Sequence, residues 1–256
     1  MDEIVDKIDK DVYLEPIDAQ IDSKGNIKPE MPGHKLNKEI LSGQILEYFF
    51  EGKPYTIEVP ITTLYPRVGS EMLDSVRTML IGRYTTFFNS NNSERTINIS
   101  LATNALNNKV VFPGEVFSFN KVVGKRTAVK GYLKAPIIVR GELSEGIGGG
   151  ICQVSSTLFN AVDNAGLKIL QRYSHTKSVT YVPSGRDATV SWYGPDFTFK
   201  NIYMQPVLIR AKSLGNMLSV SIYSSESIDL KPRSIPGAPA ILPKEIPFKT
   251  KKQQKR

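Results

Sequence analysis

Apolar positions recur in this chain at two different spacings, and each spacing predicts a different element. Between residues 38 and 50, Ile40, Leu41, Ile45 and Phe49 recur at steps of one face of a helix, with Asn37 placed to cap its start. Before it, Asp11 to Ile21 reads as a strand and Asp22-Ser23-Lys24-Gly25-Asn26 as a turn; after it, Pro54 to Thr63 alternates as a strand. Pro66 and Gly69 close this first unit. Ser70 opens a second region as a helix cap, followed by Met72, Val76, Met79 and Leu80 at helical spacing. Ile97 to Asn107 predicts another helix, and Pro113-Gly114 a turn before the apolar run Val116 to Phe119. Ala135 to Val139 reads as a strand. Val154 to Ala165 predicts a helix stopped by Gly166. Leu167–Tyr173, Ser178–Val182, Asp187–Trp192 and Phe197–Phe199 are strand-like. Pro206–Lys212 and Met217–Tyr223 predict a hairpin around Leu214-Gly215-Asn216. Helices precede a run of antiparallel strands, so the fold class is α+β, with a sheet packed on the 154–165 helix. There is no internal repeat.

Composition narrows the picture. A chain of 256 residues suggests one large domain or two smaller ones, and 40% hydrophobic residues supply a core. The single cysteine excludes an intrachain disulfide and a cysteine zinc site, and two histidines leave little for a metal cage. No metal and no cofactor are therefore expected. No stretch approaches the ~18 apolar residues of a membrane span, and the acidic start is not a signal peptide. The chain as written reads as soluble, without a transmembrane segment.

The net charge of +8 and the pI near 9.4 need dissection. Residues 231–256 carry +7 of it, whereas the first 23 residues carry −6. The basic balance thus describes a tail and not a nucleic-acid-binding surface, and no nucleic-acid partner is expected. Pro232, Pro236, Pro239, Pro243 and Pro247 remove backbone donors from the same stretch. Residues 226–256 are expected to be extended and largely unpacked. They serve as a linker or solubiliser, or they attract a polyanion such as an anionic wall polymer or a membrane surface.

The strongest local signal is Gly146-Ile147-Gly148-Gly149-Gly150-Ile151-Cys152-Gln153-Val154-Ser155-Ser156-Thr157-Leu158-Phe159. A glycine cluster leads into the lone cysteine at the start of a helix. Backbone N–H groups and the helix dipole favour an anion there and lower a thiol pKa. The glycines allow close approach of a substrate, and the same amides can cradle an oxyanion. A lone cysteine is otherwise a small buried hydrophobe. A phosphate loop is disfavoured, because no Lys-Ser/Thr follows and no acid stands at dinucleotide spacing. A nucleophilic cysteine needs a base. His175 follows 23 residues on, between strand-like runs, and Asp187 opens the strand-like Asp187-Ala188-Thr189-Val190. Helix-borne Cys, then strand His, then strand Asp is the order of papain-like and transglutaminase-like enzymes. The alternative is a surface histidine and a turn aspartate. His34, beside Pro32-Gly33, reads as solvated.

Several short motifs together resemble the VanW family: PGEVFSFN at 113–120, VGKRT at 123–127, Gly131-Tyr132, GGGICQVSSTLFNA at 148–161 and YVPSGRDATV at 181–190. The resemblance spans about residues 75–215 in unbroken order. Residues 1–68 resemble the peptidoglycan-binding domain that often precedes VanW or transpeptidase domains. The division that follows is 1–69 as a peptidoglycan-binding domain, 70–225 as a VanW-like domain and 226–256 as a basic, proline-rich tail. Departures from the common architecture are that no membrane anchor is visible and no G5-type domain follows.

The resemblance implies a bacterial protein at the outer face of the cell envelope, from a family named after glycopeptide-resistance gene clusters. It implies a cysteine L,D-transpeptidase-type acyltransferase acting on peptidoglycan stem peptides. Cys152 would attack the stem, His175 would act as base and Asp187 would orient it. Gly148, Gly149 and Gly150 would bind substrate, and the N–H groups around Gly149 to Cys152 would stabilise the oxyanion. Gln153, Ser155 and Ser156 would bind substrate or cap the helix. Arg126 would bind a stem carboxylate, or make a structural ion pair. The alternatives are a non-catalytic peptidoglycan or wall-polymer binding module with Cys152 buried, and a cysteine peptidase with water as acceptor.

Overall fold

In the computed structural model the described residues are 2–52, 56–139 and 142–240. They form an α+β protein of two compact units, Met1–Asp74 and Ser75–Arg256.

The first unit begins with a helix the sequence reading lacks, α1 (Asp2–Val12). Val5, Ile8 and Val12 lie at three- and four-residue steps and join Leu36, Leu41, Ile45 and Ile57 in a small core. The strand expected over 11–21 is corrected accordingly. Asp11 and Val12 finish α1, Leu14 and Ile17 make isolated bridges to His34 and Met31, and only β1 (Gln20–Ile21) pairs regularly, with β2 (Ile27–Lys28). Pro16 interrupts the stretch between them, having no N–H to donate to a ladder. The intervening turn is held by Asp22, whose Oδ1 accepts from the amides of Lys24 (2.8 Å) and Asn26 (2.9 Å). β3 (Gly33–Leu36) places His34, expected to be solvated, half-buried in a ladder. α2 (Lys38–Glu51) follows with Asn37 Oδ1 capping the Ile40 amide at 3.2 Å. β4 (Ile61–Leu64) pairs with β3; it is shorter than the 54–63 strand expected, part of which lies outside the described residues. α3 (Ser70–Val76) crosses the boundary between the units.

The second unit opens with β5 (Met79–Phe87), where a continued helix was expected. Met79 and Leu80 belong to a strand whose Ile81, Tyr84 and Thr86 are buried; partners elsewhere in the chain override the local spacing. Then come α4 (Ser93–Leu106, capped by Asn92), β6 (Lys109–Val111), β7 (Val116–Ser118), α5 (Phe119–Val123) and a 3-10 turn, Ala128–Lys130. β8 (Lys134–Val139) and β9 (Glu142–Ile147) form a hairpin that delivers α6 (Ile151–Asn164). β10 (Lys168–Gln171), β11 (Thr198–Lys200), β12 (Val207–Leu214) and β13 (Met217–Ser224) complete the unit, the last two as the expected hairpin. The strands expected over 178–182 and 187–192 do not form: residues 172–197 contain neither helix nor strand.

Two antiparallel sheets frame the core, one ordered β5-β13-β12-β6 and one β10-β11-β7. α6 packs across β5 and β13, and α4 packs on β12. Phe117 stacks on Phe199 (4.8 Å between centroids) and Phe159 meets Phe197 edge-on (5.7 Å), filling the space beneath α6.

Residues 226–240 hold no helix or strand and are mostly exposed, as expected, but a few of them pack. Ile228 is buried, and Leu230, Ile235 and Ala238 pack on the core. Arg233 exchanges backbone and side-chain hydrogen bonds with Asn164 (3.0 and 2.9 Å) and pairs with Asp163 at 2.8 Å, while Pro236 O accepts from Tyr84 Oη at 3.1 Å. Proline forbids a regular element there, yet the apolar residues between the prolines still find the C-terminal end of α6. Residues 241–256 lie outside the described residues.

Candidate active site

Three glycines turn the β8–β9 hairpin into α6. Gly148 and Gly150 have φ of +91° and +102°, and a Cβ on Gly149 would stand 2.6 Å from Pro136 O, so the turn admits no side chain at these places. Asn98, fully buried on α4, clamps this turn: its Nδ2 donates to Gly149 O (3.0 Å) and Leu133 O (2.9 Å), and its Oδ1 accepts from Leu133 N (2.8 Å). Gly150 is the N-cap of α6, so the helix begins three residues earlier than the sequence pattern predicts, and Cys152 is its second residue. In the first turn Ile151 N donates to Gly148 O and Gln153 N to Gly150 O. The Cys152 amide between them finds no acceptor among the described residues.

The Cys152 side chain is half-buried. Its Sγ lies 3.6 Å from Thr189 Oγ1 and 3.7 Å from Val190 O, and it is coupled electrostatically to the His175 imidazole. His175 Nδ1 in turn donates to Asp187 Oδ2 at 2.6 Å, which leaves Nε2 for the thiol. The His175 amide donates to the same Oδ2, also at 2.6 Å, so the carboxylate fixes both backbone and ring. The structure thus gathers Cys152, His175 and Asp187 at one place, the imidazole hydrogen-bonded to the carboxylate and electrostatically coupled to the thiol, with His175 and Asp187 side chains only 7% and 9% exposed. His175 and Asp187 stand on irregular backbone and not on strands.

Each of these three groups is displaced from its ordinary ionisation. Burial pushes the Cys152 thiol up, but the hydrogen bond and charge of His175 outweigh it and the thiol is lowered. Burial pushes His175 down, but the thiolate and Asp187 raise it overall. Burial pushes Asp187 up, and the His175 amide and ring bring it below its usual range. These directions all favour a thiolate–imidazolium pair beside a carboxylate. Tyr181 lies close by, facing Ser156 and the thiol, and burial drives its phenol far above its usual range, so it stays a donor.

The other expected site residues divide. Gln153, Ser155 and Ser156 are fully buried, and their side chains bond inward. Gln153 accepts from Arg95 (2.6 Å) and donates to Thr86 Oγ1 and Phe87 O. Ser155 Oγ donates to Cys152 O (3.1 Å) and bonds Ala188 O; Ser156 Oγ donates to Cys152 O (2.7 Å) and accepts from Ala188 N (2.8 Å). They look inward because α6 is buried on nearly every side. Arg126 is drawn to the thiol electrostatically, and its stem lies against Gly148. A pocket of about 240 Å³, lined by Ser174, Lys177, Ser184 and others, opens onto His175 and Asp187. Among the described residues no grouping of His, Cys, Asp and Glu could hold a metal ion, and no helix is long and apolar enough to cross a membrane.

Sequence reasoning missed Asn160, Arg172, Tyr181 and Thr189. Asn160 binds Arg186 through O (2.8 Å) and Nε (2.7 Å), and Arg172 donates to Gly185 O and Asp187 O (2.9 and 2.7 Å). The signal was present: Gln153, Ser155, Ser156, Thr157 and Asn160 are an unusual density of polar residues for a helix in a core.

Comparison with known proteins agrees with the motifs. The family described as "VanW like protein" matches residues 94–223, and that described as "Putative peptidoglycan binding domain" matches residues 1–58. The Bacillus subtilis protein YoaR, described as uncharacterized, is 56% identical over 242 residues, covering 94% of this chain and 80% of its own. The vancomycin B-type resistance protein VanW of Enterococcus faecalis is 32% identical over 112 residues, 42% of this chain and 41% of its own. No solved structure matches.

Proposed function

The chain belongs to the VanW family, and on that footing we propose that it is a cysteine acyltransferase of the L,D-transpeptidase type acting on peptidoglycan stem peptides. The two family matches support the broader statement, a cell-wall-related protein associated with the envelope. The finer statement is supported by one observation: a His175–Asp187 hydrogen-bonded pair is electrostatically coupled to the Cys152 thiol at the N-terminus of α6. Residues 1–69 would hold wall polymer, residues 70–225 would carry the chemistry, and the basic tail would add attraction to anionic wall polymers at the outer face of the cell.

In this reading the Cys152 thiolate attacks the carbonyl of the diamino acid that precedes the terminal D-alanine. The Cys152 amide and the N-terminal end of α6 stabilise the tetrahedral oxyanion. His175 gives its proton to the departing D-alanine nitrogen as the C–N bond breaks, leaving a thioester. An amine from a neighbouring stem then attacks, His175 accepts its proton, and the thiol returns as the new amide forms. Asp187 keeps Nδ1 protonated throughout. The same intermediate meeting water would give a peptidase, and product analysis separates the two.

The test is incubation with tetrapeptide-bearing muropeptides and mass spectrometry for D-alanine release and a thioester adduct. Wild-type protein should form both adduct and crosslink. Cys152→Ser should fold and form neither, and His175→Ala should slow acylation by about 100-fold or more with little change in binding. Full crosslinking by Cys152→Ser would replace this reading with that of a binding module.

A further inference from the structure

Arg126 stands between α5 and the 3-10 turn with part of its guanidinium withdrawn from water. Its Nη2 is buried and has no hydrogen-bond partner among the described residues. Its Nη1 makes one long bond, 3.4 Å to Gly124 O, and its plane lies over the Phe119 ring at 5.7 Å. The nearby carboxylate that attracts it, Asp196, is occupied. Asp196 Oδ1 accepts from Asn120 N (2.9 Å) and Phe197 N (2.8 Å), and Oδ2 accepts from Ser118 Oγ (2.6 Å). A buried, unanswered guanidinium donor is costly, and a fold seldom retains one without return.

The position of this donor suggests what answers it. Arg126 Cβ and Cγ touch the place a Cβ would occupy on Gly148, four residues before the nucleophile, and its charge acts on Cys152. Cys152 already has the His175 imidazole as its electrostatic partner. The planar fork of an arginine is matched by a carboxylate. In the acyl transfer proposed above, a donor that ends one residue past the scissile bond carries its free carboxylate one carbon from the departing nitrogen.

We propose that Arg126 is the specificity residue that binds the free α-carboxylate of the leaving amino acid. The enzyme is then restricted to stems that terminate one residue beyond the bond it cleaves. This rests on the acyltransferase reading, and it can be tested apart from it.

The experiment uses the full chain carrying Cys152→Ser and a pair of stem tetrapeptides that differ only in ending as a free acid or as an amide. Titration calorimetry should show the acid bound about 10–100-fold more tightly. Adding Arg126→Gln should bring the two peptides to nearly equal affinity, while Arg126→Lys should keep part of the preference. Thermal melting should show Arg126→Gln folded, with no loss of stability, because an unanswered buried charge has been removed. Equal binding of acid and amide without the Arg126 substitution, or an unchanged preference with Arg126→Gln, overturns the assignment. If discrimination is present but wild-type protein forms no thioester, carboxylate recognition stands and the acyltransferase reading falls.

Discussion

Cys152 stands on a helix buried from Gln153 to Val162, whereas His175 and Asp187 stand on a stretch with no helix or strand between Arg172 and Phe197. One wall of the site is fixed by its own backbone ladder and by packing. The other is fixed by cross-links, most of them from polar side chains of the first wall to its backbone. Ser155 and Ser156 hold Ala188, Asn160 holds Arg186, and Arg172 holds Gly185 and Asp187. The bonds to Ala188 are fully buried and those to Arg186 and Asp187 partly so, where water competes little; only the bond to Gly185 is exposed. An irregular segment can therefore present a histidine as firmly as a strand would, provided a rigid neighbour supplies its hydrogen bonds.

The largest test of this contrast is Asn160→Ala. It strips the Arg186 carbonyl of a partner and frees the loop from α6 without touching the thiol. The expected loss is about 2–3 kcal/mol, read as a fall of roughly 5–10 °C in Tm. Thiol alkylation at pH 6 should slow with it as His175 drifts. If Tm falls while the alkylation rate holds, the loop does not depend on the helix for its geometry.

A smaller effect belongs to Asp187. Its native pKa lies below its unfolded value, so its contribution to stability is present above the unfolded pKa and is lost as pH falls through the native one. Between about pH 5 and pH 3 the wild type should lose stability that Asp187→Asn, less stable at neutral pH, does not have to lose. Parallel Tm curves for the two proteins would show that the carboxylate carries no such linkage. Smallest is Thr189→Val, which keeps the shape and removes the Oγ1 contact to Sγ. Alkylation should change by roughly two- to fivefold and Tm hardly at all.

These walls were also unequally legible in the sequence. Glycines before a cysteine, followed by an apolar helix and a stopping glycine, encode α6 locally, and only its first turn was misjudged because Ile151 and Cys152 follow directly on a glycine cap. The 178–182 and 187–192 segments carry the β-branched and aromatic residues of strands, but in the second of them Ala188 and Val190 bond to side chains of α6, and no local pattern records that. The same cause hid the work of Ser155 and Ser156. Their types fit a ligand site as well as a buried brace, and only burial distinguishes the two. α1 was missed because its four apolar residues are scattered among charged ones, and β5 because its partner strand lies far along the chain.

Met79 pairs with Ser224 and Phe87 with Met217, so the first strand of the second unit waits for the last strand among the described residues. α6 lies on both strands and has no complete seat until the β12–β13 hairpin has been made. During synthesis the helix bearing Cys152 emerges well before its floor exists, and β5 spends that interval as an unpaired edge. Pairings this distant in sequence make for slow closure. The site should thus be among the last parts of the molecule to assemble, and its thiol should acquire its imidazole partner only when the whole sheet has closed behind it.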